Sequence, residues 1–260
     1  MKQRILTAII ALAILGVLLF FSPPFLVSAV IGLLLLAGAW EWSGFLARRN
    51  NTTRVVYVLM IGVLIVAMTT VPAPHKEIIL MFSLAWWAIA LFWTFFFPTP
   101  IAEPVRWLVG VLVLVPLHAA LMLLYAAGPT VLLFALLVVW VADSGAYAAG
   151  KTLGRVKLAP QISPGKTWEG VIGGLLAVML LIGLRSFKVE TNFAVLVPFC
   201  LGAAALSVVG DLTVSMFKRT AGLKDSGTLF PGHGGVLDRI DSVAAAAPLF
   251  ALGLKWAGVQ

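Results

Sequence analysis

Charged residues are scarce in this sequence. It has 18 Lys and Arg and only 10 Asp and Glu among 260 residues, so charged side chains make up 11%. An average soluble domain has about 25%. So few charges could not cover the surface of a soluble domain of this length. The shortage therefore excludes a charge-rich disordered chain and a soluble cytosolic enzyme.

Cysteine is almost absent, because Cys200 is the single one in the chain. One cysteine cannot form an internal disulfide or a cysteine-based metal cluster. The sequence therefore excludes a secreted disulfide scaffold. Long polar linkers are missing as well, which leaves no sign of a separate soluble domain.

Apolar residues are what the sequence has in excess. They make up 62% of the chain, and the mean hydropathy is +1.08. About 20 apolar residues cross a bilayer as a helix, so the sequence predicts an all-α, polytopic transmembrane protein. We count nine spans, or eight if the first two are fused. The spans are 4–21, 24–47, 54–71, 78–97, 107–126, 130–150, 168–187, 192–217 and 241–258.

The breaks between these spans are short clusters of Pro, Gly and polar residues, which end helices for steric and hydrogen-bonding reasons. We therefore predict a single integral-membrane domain over 1–260, with an N-terminal multi-span half (1–130) and a C-terminal half (131–260) that carries the chemical motifs. No small-x-small cleavage pattern precedes Pro23, so the first apolar segment is interpreted as a retained helix rather than a signal peptide.

The positive charges predict the orientation of the spans. With nine spans and a cytosolic N-terminus, 14 of the 18 Lys and Arg face the cytosol and 4 face the other side. Cytosolic loops of membrane proteins carry such an excess. The net charge of +8 is therefore interpreted as orienting charge, and no nucleic-acid partner is expected. The four on the other side are Lys76, Arg185, Lys188 and Lys255.

Only two cytosolic loops are long enough to build a site, 151–167 and about 218–240. The second reads KRTAGLKDSGTLFPGHGGVLDRI and combines glycines, cations and interleaved carboxylates. Glycines let backbone N–H groups approach anionic oxygens closely. The cations would hold a polyphosphate, and the acids could hold a divalent metal ion. An orienting loop needs neither the PGHGG stretch nor the carboxylates.

Acidic residues inside the spans are a second indication of a site. Each is expected to cost roughly 2.5–3.5 kcal/mol at mid-membrane. Asp143 and Asp211 lie near the cytosolic ends of their spans, and Glu169 opens the following span at a similar depth. Isolated interhelical hydrogen bonds, or helix capping by Glu169, are the alternative interpretation. Glu41, in AWEWSGF, is equally consistent with a structural and a functional role.

The segment SPGKT resembles part of a phosphate-binding P-loop, but the pattern fails. A Walker motif needs glycine at position 160, where this chain has Pro160, and it follows a strand. No strand is predicted here. Lys166 remains a candidate phosphate contact as a point charge.

The segment from Ser215 to Asp241, SMFKRTAGLKDSGTLFPGHGGVLDRID, closely resembles the signature of the phosphatidate cytidylyltransferases (CDP-diacylglycerol synthases). Every defined position of that signature is met. The upstream segments VADSGAYAAGKTLGR, SPGKTWEG and GDLTVSMFKR are also similar to this family, so the resemblance covers about 140–241. The length and the absence of a polar N-terminal tail look like the bacterial branch.

The resemblance implies that CTP and phosphatidic acid react to give CDP-diacylglycerol and pyrophosphate with Mg²⁺, for phospholipid biosynthesis at the bacterial cytoplasmic membrane. It places metal ligands at Asp211 and Asp238; Asp143 and Asp241 are further candidates, and one or two ions stay open. Lys218, Arg219 and Lys224 are assigned a catalytic role on the phosphates. The candidates for binding CTP or phosphatidate are Ser163, Lys166, Asp225, His233, Gly234, Gly235 and Arg239.

Two other functions use similar residues. A secondary transporter also has intramembrane acids and glycine-interrupted helices, but its acids would lie near mid-membrane rather than beside one polar loop. A CTP-dependent lipid kinase would need the same charges and transfer the γ-phosphoryl group instead. The sequence leaves the oligomeric state open, and a homodimer is one of the options.

Overall fold

The computed structural model describes residues 2–46, 50–187, 192–227 and 234–256, with side chains from 10 to 253 except residue 11 and the gaps. Nine α-helices lie in this described part of the chain. They are α1 (Lys2–Phe21), α2 (Pro24–Trp42), α3 (Asn51–Thr70), α4 (Ala73–Phe95), α5 (Glu103–Ala127), α6 (Pro129–Leu153), α7 (Trp168–Ser186), α8 (Phe193–Thr220) and α9 (Leu237–Trp256).

The helical transmembrane fold predicted from the sequence is confirmed. Each predicted span corresponds to one helix, and most of the starts and ends agree within a few residues. Among the residues that the structure describes, seven helices, α2 to α8, are long and apolar enough to cross a membrane. Most of their large exposed side chains are apolar, as expected for surfaces that face lipid. This chain is therefore a multi-pass membrane protein.

Proline marks the starts of several helices. Pro24, Pro104 and Pro129 lie in the first turn of α2, α5 and α6, where the missing N–H would have no partner in the helix. In α3 the Asn50 side chain accepts from the backbone N–H of Thr53 at 2.8 Å. These local signals explain why the chain breaks where the sequence predicted.

One short β-hairpin interrupts the helices. Strand β1 (Lys157–Ala159) pairs in antiparallel orientation with β2 (Ser163–Thr167), which contains SPGKT. The expectation that no strand precedes SPGKT was therefore wrong. The two strands are too short for a readable alternation, and Pro164 and Gly165 are residues that disfavour strands. No strand–loop–helix phosphate cradle of the Walker type results, because SPGKT is itself the strand.

The polar segments lie at one end of the helix bundle, which we call the site end. There α2, α4, α6 and α8 end, while α5, α7 and α9 begin. Aromatic rings join the two halves of the chain at this end. The ring of Phe217 on α8 lies 5.1 Å from Trp42 of α2 and 5.8 Å from Trp93 of α4, measured between centroids. Arg106 of α5 donates to the carbonyl of Phe45 at 2.9 Å.

Candidate active site

A buried ion pair joins the end of α8 to the start of α9. Lys218 Nζ lies 2.7 Å from Oδ1 of Asp238, and the two side chains are only 10% and 11% exposed. The other oxygen of Asp238 accepts from the backbone N–H groups of Ser226 and Gly235, each at 3.0 Å. Asp238 therefore fixes the segments before and after residues 228–233 as well as the lysine.

A second ion pair is more open to solvent. Lys166 Nζ, at the end of the hairpin, lies 2.8 Å from Oδ2 of Asp211 on α8, and the side chains are 24% and 31% exposed. Ser215, one turn further along α8, donates to Oδ1 of Asp211 at 3.1 Å. The sequence could not show which lysine would meet which acid, because 45 residues separate these two.

Close packing of α8 against α9 brings the acids together. A side chain at Gly210 would collide with the backbone carbonyl of Asp241 and approach the Cβ of Ala245. Glycine therefore lets the two helices approach within backbone contact, one residue before Asp211. Asp241 is 6% exposed and is close enough to Asp211, Lys166 and Lys218 for their charges to interact.

Asp143 reaches the same cluster from α6. Its carboxylate interacts with the charges of Lys166 and Asp211 and with the hydroxyl of Ser242. Close packing of small residues on α6 and α7 supports this placement, since a side chain at Gly174 would collide with the carbonyl of Ala142. The structure thus gathers a charge cluster from four segments of the chain. We call it the acid–lysine centre: Asp143, Lys166, Asp211, Lys218, Asp238 and Asp241.

Local hydrogen bonds fix the start of α7, directly after Lys166. Thr167, the next residue, accepts from the backbone N–H of Gly170 at 3.1 Å and so caps the start of α7. Glu169 accepts from the backbone N–H of Val156 at 3.1 and 3.2 Å. Glu169 therefore ties α7 to the hairpin and is not drawn into the acid–lysine centre, although the sequence placed it at the same depth as Asp143 and Asp211.

Arg219 also supports the hairpin. Its Nε donates to the carbonyl of Ile162 at 3.1 Å, and one terminal nitrogen donates to the carbonyl of Leu223 at 3.4 Å. The other N–H groups of the Arg219 guanidinium belong to an exposed side chain. A phosphate role for Arg219 stays a prediction, and the structure adds a docking role that the sequence did not indicate.

The other predicted substrate residues lie in several segments of the chain. Arg239 is exposed on the first turn of α9 and interacts electrostatically with Asp143. Lys224 and Asp225 are exposed in the turn after α8, and Ser163 opens β2. Gly234 has a φ of +79°, a conformation that favours glycine. His233 lies outside the described residues. The N–H of Gly235 is already engaged by Asp238.

Glu41 is the acid for which the sequence left a structural and a functional role open. It lies at the end of α2, in the half of the chain without the signature, and is 8% exposed. Its carboxylate accepts from the Ser226 hydroxyl and from the backbone N–H groups of Val236 and Leu237 at 2.8–2.9 Å. An acid inside an apolar span was the available signal, but its partner lies 185 residues away.

The acid–lysine centre offers carboxylate oxygens, which are the donors that Mg²⁺ prefers. Within the described residues, however, no three or more acidic, histidine or cysteine side chains form a preformed metal-binding group. Asp211 and Asp238 each face a lysine ammonium instead. Mg²⁺ is commonly held by one or two carboxylates together with substrate phosphates. The donor set fits that mode and does not form a closed protein cage.

Comparison with known proteins places the whole chain in one group. The model of the cytidylyltransferase family matches residues 2–256. A phosphatidate cytidylyltransferase of Pseudomonas aeruginosa is 42% identical over 99% of this chain and 97% of the relative, and one of Haemophilus influenzae is 36% identical over 96% and 97%. A phosphatidate cytidylyltransferase of Staphylococcus saprophyticus is 45% identical, over 45% of this chain and 46% of its own length.

Proposed function

This chain belongs to the cytidylyltransferase family, and from that premise we propose that it transfers the cytidylyl group of CTP to phosphatidic acid, giving CDP-diacylglycerol and pyrophosphate. The full-length likeness to two phosphatidate cytidylyltransferases supports the reaction. The observation that carries the proposal is the acid–lysine centre, in which two Lys–Asp pairs meet at one end of a membrane-embedded bundle.

The chemistry requires two anions to approach each other in line. The phosphate of phosphatidic acid would attack the α-phosphorus of CTP, and the bond to the β-phosphate oxygen would break to release pyrophosphate. A phosphate monoester has its second pKa near 6, so its oxygen is already ionised at neutral pH and no strong general base is needed. The protein must therefore neutralise and orient phosphates, which is a task for lysines.

The two lysines suit this task because each is held by a carboxylate before substrate arrives. Lys166 and Lys218 lie at 2.8 and 2.7 Å from their acids, so their ammonium groups are ordered rather than free in solution. A triphosphate would compete with the carboxylates for these ammonium groups. Lys166 would make this exchange more easily, since its pair is the more exposed one.

Asp211 and Asp238 are the residues that would hold Mg²⁺, through their carboxylate oxygens. Mg²⁺ would supply neutralisation of the triphosphate and of the charge that develops on pyrophosphate. Asp143 and Asp241 interact electrostatically with Asp211 and Lys166, and we assign them supporting positions beside the metal ligands.

We also propose that the acid–lysine centre faces the cytosol of a bacterial cytoplasmic membrane, where CTP is present. The excess of positive charge on one side of the predicted topology supports this orientation. Cysteine labelling in a Cys200→Ala background tests it. Lys157→Cys, on the hairpin, should react only after the membrane is opened, and Lys76→Cys, near the start of α4, should react in intact cells. The reverse pattern would contradict the orientation.

The reaction is tested with detergent-purified protein, labelled CTP, phosphatidic acid and Mg²⁺. We expect a labelled CDP-lipid and one pyrophosphate per turnover, with ATP used poorly. CDP and a phosphorylated lipid as products would identify a CTP-dependent lipid kinase instead. Protein without any turnover of CTP would contradict the proposal.

A further inference from the structure

We propose that Glu41 is a positioning residue that holds the two described ends of the signature segment together from the N-terminal half of the chain. The ends are residues 226–227 and 234–237. This inference rests on the proposed function, because that segment carries the residues assigned to CTP. Glu41 lies outside the segment that resembles the family signature.

The hydrogen bonds of Glu41 reach both ends of the segment. Oε2 accepts from the hydroxyl of Ser226 at 2.9 Å and from the backbone N–H of Leu237 at 2.8 Å, while Oε1 accepts from the backbone N–H of Val236 at 2.9 Å. Both backbone donors lie at the start of α9, where unpaired N–H groups favour a negative charge. One carboxylate thus binds both Ser226 and Val236, which are ten residues apart in sequence.

Two signature glycines make room for this carboxylate. At Gly227 the three nearest atoms to an added Cβ all belong to Glu41, and a side chain at Gly235 would collide with Glu41 and with the hydroxyl of Ser226. The absence of a Cβ at these two positions is thus explained by an acid in another helix. This gives Gly227 and Gly235 a role different from direct contact with phosphate.

Glu41 is itself rigidly held. The next residue, Trp42, donates from Nε1 to the carbonyl of Arg106 at 2.9 Å and packs against Phe217. Phe217 immediately precedes Lys218, whose partner Asp238 binds the same two ends of the segment. The N-terminal half is therefore connected to the acid–lysine centre through the Glu41 carboxylate and the Trp42 ring.

Three donors occupy the Glu41 carboxylate, and they come from the protein itself. Such a group acts through the segment it orders rather than on the reacting atoms. Replacing it should weaken the binding of the nucleotide more than it slows the chemical step. A residue that only stabilised the fold would lower the amount of folded protein and leave the kinetic constants of the folded fraction unchanged.

Hydrogen exchange tests the geometry without any need for catalysis. In Glu41→Gln, one of the two oxygens becomes an amino group that cannot accept. We expect at least one of the Val236 and Leu237 amides, the one left without an acceptor, to exchange at least about tenfold faster than in the parent protein. The Gly235 amide, which donates to Asp238, should stay protected and serves as the internal control. Unchanged protection at Val236 and Leu237 would overturn the proposal.

Kinetics of the same variant test the positioning role. We expect kcat/KM for CTP to fall about ten- to hundredfold, the range for a hydrogen bond to a charged group, mainly through a higher KM for CTP. Glu103→Gln is the matched control, because Glu103 lies in the first turn of α5 and accepts from Trp107 on the same helix at 3.1 Å. Unchanged kinetics in folded Glu41→Gln, with an active parent, would overturn the proposal. An inactive parent would contradict the proposed function instead.

A double-mutant cycle remains informative even if Glu41→Gln folds poorly. Gly227→Ala should lower kcat/KM for CTP by at least about tenfold on its own, because its methyl group would displace the carboxylate. In a Glu41→Ala background the space is empty, and the same substitution should add less than about twofold. Equal effects of Gly227→Ala in both backgrounds would show that Glu41 does not occupy this position and would overturn the proposal.

Discussion

The two Lys–Asp pairs of the centre have the same chemistry but different surroundings. Lys218–Asp238 is 10% and 11% exposed, and Asp238 also accepts from two backbone N–H groups. Lys166–Asp211 is 24% and 31% exposed, and Asp211 also accepts from the hydroxyl of Ser215. The Lys218–Asp238 pair is bound to backbone N–H groups near the start of α9. The Lys166–Asp211 pair joins the hairpin to α8.

The difference separates two tasks within one site. Breaking a buried pair leaves a charge without compensation, which costs about 3–5 kcal/mol, whereas an exposed pair contributes about 0–1 kcal/mol. Lys218–Asp238 therefore has to hold the signature segment in place as well as serve the reaction. Lys166–Asp211 lies between these two limits, so we expect it to contribute less to the fold and to exchange partners with substrate more easily.

The largest effect is expected for Asp238→Asn. Asparagine keeps an oxygen for the N–H groups of Ser226 and Gly235 but leaves Lys218 without a counter-charge. We expect kcat to fall by at least about 10²-fold and the protein to lose about 3–5 kcal/mol of stability. Lys218→Met combined with Asp238→Asn should recover stability but not activity. Wild-type thermal stability of Asp238→Asn in detergent would contradict the buried role of this pair.

Asp211→Asn should separate activity from stability. We expect a loss of kcat of at least about 10²-fold, as for Asp238, with a stability change of no more than about 1 kcal/mol because the pair is partly exposed. Activity assays and thermal unfolding of the same preparation measure both. A strongly destabilised Asp211→Asn would remove the distinction between the two pairs.

Lys166→Gln should weaken substrate binding more than catalysis. Glutamine loses the point charge that we assign to phosphate, so KM for CTP is expected to rise about tenfold, with a smaller change in kcat. Raising the ionic strength should affect the parent more than the variant, since screening acts on exposed charges. An unchanged KM at low salt would show that Lys166 serves only Asp211.

The smallest effect is expected for Thr167→Ala, which removes the cap of α7 beside Lys166. Loss of an N-cap costs about 0.5–2 kcal/mol. The variant should unfold at a slightly lower temperature and show a change in KM for CTP smaller than that of Lys166→Gln. A larger kinetic effect than Lys166→Gln would mean that Thr167 has a role in the site beyond capping.

Most of the fold could be predicted from the sequence, because apolar length and helix-breaking residues act locally. The helices began and ended near the predicted positions for this reason. The hairpin could not be predicted, since β1 has three residues and β2 includes Pro164 and Gly165. Its strands form because they pair with each other beside α7. The residue pattern of either strand alone does not predict this pairing.

The candidate residues of the site were visible, but their pairing was not. The resemblance named Asp211 and Asp238, and acids inside spans indicated Asp143. Which lysine meets which acid depends on the close approach of α8 and α9 at Gly210, a contact between distant segments. Glu41 was noticed as an acid in a span, but its role required the position of the segment that it binds.

We expect the carboxylates of Asp211 and Asp238 to act as one unit on bound CTP. The direct test is kcat for CDP-lipid formation in Asp211→Asn, Asp238→Asn and the double variant, each corrected for folded protein. We expect the double variant to lose little more than the more damaging single variant, because either substitution already disables the unit. A double variant whose loss equals the product of the two single losses would contradict the claim.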